Sequence, residues 1–231
     1  MGQEQRQGDE DKLGMSIRIP FDEHGAASRL AEHLQRALQD ASGRNVVVVC
    51  VGTDRSTGDA FGPIVGTKLE TSMGFQGLRV YGTLNNPVHA VNLTSVLAEI
   101  NSEYSVPPFI LAVDACLGKF DHVGHIILER GPLRPGAGVK KSLPEFGDYT
   151  LTGVVNVCGF MEYFVLQNTR LGIVMRMSEV VAESLTLAWQ RLRIQESVID
   201  TKSSHLAGFH ATNPRQNTIR HSSVDSFGAY E

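Results

Sequence analysis

Asp54 and Asp59 stand in the stretch GTDRSTGDAFGP, directly after the apolar run Val46–Val51, and Asp114 directly follows the apolar run Phe109–Val113. Carboxylates in such places can do acid–base chemistry, because open α/β sheets gather their reactive groups outside the carboxyl ends of parallel strands. An aspartate closing a buried strand is costly to desolvate unless it is paired or used. If the two runs are neighbours, Asp114 faces an acid of the first loop, and two close carboxylates tend to hold one proton between them. That pair suits amide hydrolysis, with one acid drawing a proton from water and the other supplying one. Structural duties compete with this reading: Asp59 as a helix N-cap, and Asp114 as an acid hydrogen-bonded to loop amides. The residues alone do not choose between Asp54 and Asp59.

Other chemistries fit less well. GTDRSTGD has no lysine and lacks phosphate-loop spacing, and PGAGVKKS (Pro135–Ser142) sets its glycines too close together. No G-x-S-x-G elbow occurs. Cys116 lies beside Asp114, yet no histidine partner is identifiable and an inert thiol is expected. His122 and His125 are three apart at the start of an expected strand, which would turn them to opposite faces and away from one metal.

The elements that must position the acids alternate in type. Apolar residues at helical spacing predict a helix over 26–41. The β-branched run Val46–Val51 reads as a strand buried on both faces. A helix follows from Asp59 or Gly62 to Thr71, stopped by Gly74, then a strand over Leu78–Tyr81 and a helix over Val88–Tyr104. Strands are predicted at Pro107–Cys116, His122–Arg130 and Tyr149–Val157, and helices at Met161–Asn168 and Ile173–Arg193. This order predicts an α/β three-layer sandwich with a mostly parallel or mixed sheet. Residues 1–14 are expected to be a disordered segment, 15–196 a single domain and 197–231 a flexible polar tail whose histidines are solvated.

A net charge of -4 gives no bias toward nucleic acid or anionic membrane. Three widely spaced cysteines without a CxxC pair point away from disulfide frameworks and zinc knuckles, toward a reducing compartment. The charged N-terminus is not expected to serve as a secretion signal, and the apolar run Val46–Val51 is too short to span a bilayer. A cytoplasmic protein is expected, with no membrane or nucleic-acid partner.

GTDRSTGDAFGPIVG, FILAVDACLG and LRPGAGVKKSL, in this order and spacing, closely resemble the YyaC-type sporulation proteins and, more distantly, the germination protease of spore-forming bacteria, an aspartic endopeptidase. The resemblance covers Asn45 to Arg193. It implies the fold of the hydrogenase-maturation peptidases, and it places the two catalytic aspartates on Asp59 and Asp114. Asp54, Arg55, Ser56 and Thr57 would line the site, Arg55 holding a carboxylate, and Gly136 and Gly138 would offer close-approaching backbone amides to substrate. The implied activity is cofactor-free hydrolysis of a protein or peptide, small spore proteins among the candidates, in the forespore or mother cell. Homo-oligomerisation is compatible with it. Two alternatives stay open: a non-catalytic sporulation factor binding a partner in the same cleft, and a metal-dependent maturation peptidase. The latter binds nickel through two acids and a histidine expected within Gly131–Gly147, where none occurs, so that His122 or His125 would have to substitute.

Overall fold

The computed structural model describes residues 16–72, 78–135 and 143–210. Its centre is β2 (Val46–Cys50), whose five residues are all buried, as a strand covered on both faces requires. Around it run β3 (Arg79–Tyr81), β4 (Phe109–Gly118) and β6 (Tyr149–Val157), with β5 (His125–Arg130) and β1 (Ser16–Pro20) beyond. The sheet order is β1-β5-β6-β4-β2-β3. The pairs β2–β3, β2–β4 and β4–β6 are parallel, while β5–β6 and β1–β5 are antiparallel. This is the mixed six-stranded α/β sheet that the alternation of elements predicts.

The two-residue period of β2 assigns its side chains to two cores. Val46, Val48 and Cys50 join α1 (Ala26–Gln39), α2 (Phe61–Thr71) and the first part of α5 (Leu171–His210). Val47, Val49 and Val51 join α3 (Leu93–Glu103) with Leu133 and Phe146. The chain divides after Arg193 into two compact units. In the second, the residues through His210 are helical, so the helix expected to end at Arg193 continues into the stretch read as a tail. The expectations for residues 1–14, Gly74 and the tail from 211 onward lie outside the described residues.

Several boundaries differ from the sequence reading for physical reasons. β1 drew no assignment, being a five-residue strand at the sheet edge that ends in proline. α3 begins at Leu93 rather than near Val88, because Val88 bridges Val51 and the His89 N–H is held by Asn92 Oδ1 at 2.8 Å. The strand expected from His122 begins at His125. Phe120–His122 instead form a short 3-10 helix, and Gly124 (φ 90°) turns the chain.

α2 lies unusually close to the sheet. A Cβ on Gly62 would fall on the Val51 carbonyl oxygen, and one on Gly66 would fall on the Gly82 carbonyl oxygen. Both glycines therefore stand where the helix backbone touches strand or loop backbone, which fixes how far the residues before α2 sit from the end of β2. In an open helix interior Gly→Ala stabilises by about 1 kcal/mol. Here Gly62→Ala should do the opposite, costing ~1–3 kcal/mol as an overpacked contact does. A urea denaturation midpoint that rose in the variant would contradict this packing.

Candidate active site

From β2 the chain passes through α2 on one face to β3, then returns through α3 on the other face to β4 on the opposite side of β2. The connections thus diverge between β2 and β4, the place where open α/β sheets leave a crevice at their carboxyl edge. The last ladder pair is Cys50 with Val113, and the Val51 N–H still reaches the Val113 carbonyl at 2.7 Å. Gly52 then donates to the Val88 carbonyl (2.8 Å) and the chain turns away. β4 continues beside β6 alone to Gly118, so Asp114 does not end the strand as its sequence position suggested. It is the first residue of β4 without a β2 neighbour.

The parting of the strands gives Asp114 a structural duty. By strand alternation the next N–H of β4 on the β2 side is that of Ala115. With β2 gone, that donor goes to Asp114 Oδ1 at 2.8 Å. The amide-satisfying role weighed for Asp114 is therefore present, and it occupies one carboxylate oxygen.

Asp59 is placed by backbone contacts on three sides. A Cβ on Gly52 would fall on the Asp59 carbonyl oxygen and lie 2.7 Å from Pro63 Cδ, so only glycine lets the loop fold back onto the strand end. The Thr53 N–H donates to that same carbonyl (3.1 Å), and the Ala60 N–H donates to the Ser56 carbonyl (3.0 Å). The Gly58 N–H donates to the Leu166 carbonyl (2.9 Å), tying the loop to α4 (Glu162–Gln167). Asn156 Nδ2, from β6, holds the Val165 carbonyl and Thr169 Oγ1, each at 3.2 Å. Asp59 is not a helix cap: the cap position of α2 is Ala60, and no side chain caps that end.

Burial and neighbouring groups perturb both acids. Burial raises the proton affinity of Asp114 most; the Ala115 N–H opposes the rise and the charge of Asp59 adds to it, leaving its pKa at about 8. Asp114 keeps part of its surface exposed, but the protein packed around its carboxyl is dense. Burial also raises Asp59, with the Ser56 hydroxyl opposing. Ser56 Oγ itself is enclosed and meets no partner at hydrogen-bonding geometry. At neutral pH such a pair can hold one proton, one acid serving as base while the other serves as acid.

The remaining expected site residues fall in different places. Asp54 and Arg55 are exposed and Thr57 is half-buried. Arg55 does not hold a carboxylate; its backbone N–H and its Nε both donate to Thr53 Oγ1 at 3.3 Å. Ser56 is buried behind the loop rather than lining it. Gly136 and Gly138 lie outside the described residues. The Cys116 thiol is pushed up to about 11, chiefly by burial, with the hydrogen bond to Thr152 opposing and the Asp114 charge reinforcing, so it stays protonated. His122 and His125 do not share a strand, and their rings pack edge-on with centroids 5.8 Å apart. Among the described residues no third histidine, cysteine, aspartate or glutamate joins Asp59 and Asp114 in a group that could hold a metal. That α4 and Val88 brace the acid-bearing loop is not visible in the residue pattern; the loop's two glycines, Gly52 and Gly58, are the available signal of close backbone contact.

Residues 18–184 match the family described as "Protein of unknown function (DUF1256)". The "Uncharacterized protein YyaC" of Bacillus subtilis (strain 168) is 51% identical over 173 residues, covering 73% of this chain and 83% of that protein. Among solved structures, a NiFe hydrogenase maturation protease, HycI, from Thermococcus kodakarensis KOD1 aligns with 64% of this chain and 97% of its own. Its identity is 17% and its TM-score 0.38.

The raised proton affinity of Asp114 sets a sign for stability against pH. Folded, it keeps its proton up to about pH 8; unfolded, it loses it near the ordinary value of 3.8. Between those values the folded chain binds the extra proton, so this group's contribution to stability falls as pH rises, and the full penalty is present above pH 8. Asp114→Asn removes the ionisation. Its urea midpoint should match wild type near pH 4 and exceed it above pH 8, by an amount on the order of a few kcal/mol in stability. A gap that stays constant with pH would contradict the buried acid.

Proposed function

The chain belongs to the DUF1256 family, and from that footing we propose that it is a two-aspartate endopeptidase of sporulating cells. This reading is carried by the placement of the two acids, Asp59 on the loop folded back onto the end of β2 and Asp114 where β4 parts from β2. Two acids so placed suit hydrolysis of a peptide bond. The ionised carboxylate takes a proton from a water molecule, whose oxygen attacks the carbonyl carbon. The protonated carboxyl donates its proton to the departing nitrogen as the carbon–nitrogen bond breaks. After one turnover the pair again holds one proton, with its place exchanged between the acids. The substrate is a protein or peptide, small spore proteins being the first to try, and the compartment is the cytoplasm of the forespore or mother cell. No described helix is long and apolar enough to cross a membrane.

A second reading, a factor that binds a partner without turnover, draws support from α4. Phe160 and Met161, just before the helix, and Tyr163 and Phe164 within it are exposed. The same helix braces the acid-bearing loop through Leu166. Exposed aromatic residues beside a crevice suit an extended polypeptide whether or not it is cut.

Digestion of a purified small spore protein, resolved on gels, separates the readings. Wild type should cleave it, and Asp59→Asn and Asp114→Asn should each lower the rate by about 10²–10⁴-fold, the worth of a general acid or base. EDTA should leave the rate unchanged. Activity should fall above about pH 8 as Asp114 loses its proton. Cleavage indifferent to both substitutions would overturn the two-aspartate reading, and cleavage abolished by EDTA would replace it with a metal-dependent one. Binding without cleavage would favour the partner-binding factor.

A further inference from the structure

We propose that Ser56 is the positioning residue of the acid pair: its buried hydroxyl donates to the Asp59 carboxylate, making Asp59 the base and leaving the shared proton on Asp114. The proposal deepens the two-aspartate reading and rests on its pairing of the acids. It reassigns Ser56, which sequence position alone had put among the residues lining the cleft.

Three observations carry it. Ser56 is 6% exposed, so its hydroxyl cannot serve a substrate in the crevice. Its Oγ is the buried side-chain polar atom without a partner among the described residues, and a buried hydroxyl is seldom left so. The backbone around it is already committed. The Ser56 carbonyl accepts from Ala60, the Asp59 carbonyl from Thr53, and the Gly58 N–H donates to Leu166. These bonds hold Ser56 and Asp59, three residues apart, in one turn, with the hydroxyl near enough to the carboxyl to oppose the rise in its proton affinity.

A serine hydroxyl rotates and can donate or accept. An ionised carboxylate only accepts, and it accepts more strongly than the neutral acid, so ionisation makes Asp59 the better partner for the Ser56 hydroxyl. A donated hydrogen bond favours the charged form. Asp114 has its own donor, the Ala115 N–H on Oδ1, yet it is the more strongly desolvated acid and the ionised Asp59 repels its charge. The proton therefore settles on Asp114. Charged groups on the elements that adjoin Asp59 are Asp54 and Arg55 in its own loop, Lys68 and Glu70 on α2, Asp114 on β4, Glu162 on α4 and Arg170 between α4 and α5. The proton affinity of Asp59 is governed by burial and, against it, by Ser56.

Carboxyl-carbon NMR titration of the full-length chain, labelled at aspartate, tests this without any substrate. In wild type Asp59 should titrate at lower pH than Asp114. In Ser56→Ala the Asp59 midpoint should rise by about one pH unit, the scale of one donated hydrogen bond. Ser56→Thr, which keeps the hydroxyl, should keep the wild-type order. Where cleavage is measurable, the acid limb of its pH profile should move up in Ser56→Ala alone. Asp59 titrating above Asp114 in wild type would overturn the proposal even if no variant folds, as would unchanged midpoints in a folded Ser56→Ala. The titration order holding without any cleavage would instead count against the endopeptidase reading and leave Ser56 in its role. Cleavage that needs both aspartates but ignores Ser56 would do the reverse.

Discussion

The carboxyl edge of this sheet depends on one divergence: β2 and β4 pair from Val46–Phe109 to Cys50–Val113 and then part. β2 cannot run on, because Gly52 turns the chain and the Asp59 carbonyl occupies the space a side chain would need there. β4 can, because β6 stays beside it to Val157. Unpaired strand edges within a fold leave backbone donors to satisfy. The Ala115 N–H is satisfied by the side chain of Asp114, the residue immediately before it. The acid of the candidate site is therefore also the group that lets the two strands separate.

That double duty limits what Asp114 can do chemically. One oxygen is spent on the backbone, and the second is left for a proton or for substrate. Asp59 approaches from the other side, on a loop whose backbone is held by Thr53, Ala60 and Leu166 rather than by its own side chain. Its carboxyl is not consumed in capping α2. The close seating of α2, permitted by Gly62 and Gly66, fixes the height of that loop above the sheet. The rigid parts of the fold thus position the acids through backbone contacts, leaving the carboxyls for chemistry.

What was legible in the sequence follows from which forces are local. The valine run Val46–Val51 declares a doubly covered strand by composition alone, and Tyr149–Val157 is extended as predicted. The alternation of strands and helices gave the mixed three-layer sheet. The residues by themselves could not choose between Asp54 and Asp59, since the choice depends on where the loop folds back, a matter of tertiary contact at Gly52 and Gly58. The extension of β4 beyond Asp114 was hidden because residues 115–118 owe their pairing to β6, some forty residues later. Arg55 looked like a partner for a carboxylate because charge is visible in sequence, whereas its hydrogen bonds to Thr53 Oγ1 are set by loop conformation. α4 gave no sign that it braces the loop, since its bond to Gly58 runs through a backbone carbonyl that any residue possesses.

An aspartate pair in water would carry two negative charges at neutral pH and have no proton to give. Burial changes this, and it does so unequally. Asp114 sits within the sheet, where desolvation dominates, and its pKa is lifted to about 8. Asp59 sits on a loop where a hydroxyl opposes the same effect. Inequality sets where the shared proton rests before each turnover, on the more strongly desolvated acid. Here the inequality comes from the fold itself: one carboxyl belongs to a strand that continues, and the other to the loop of a strand that stops.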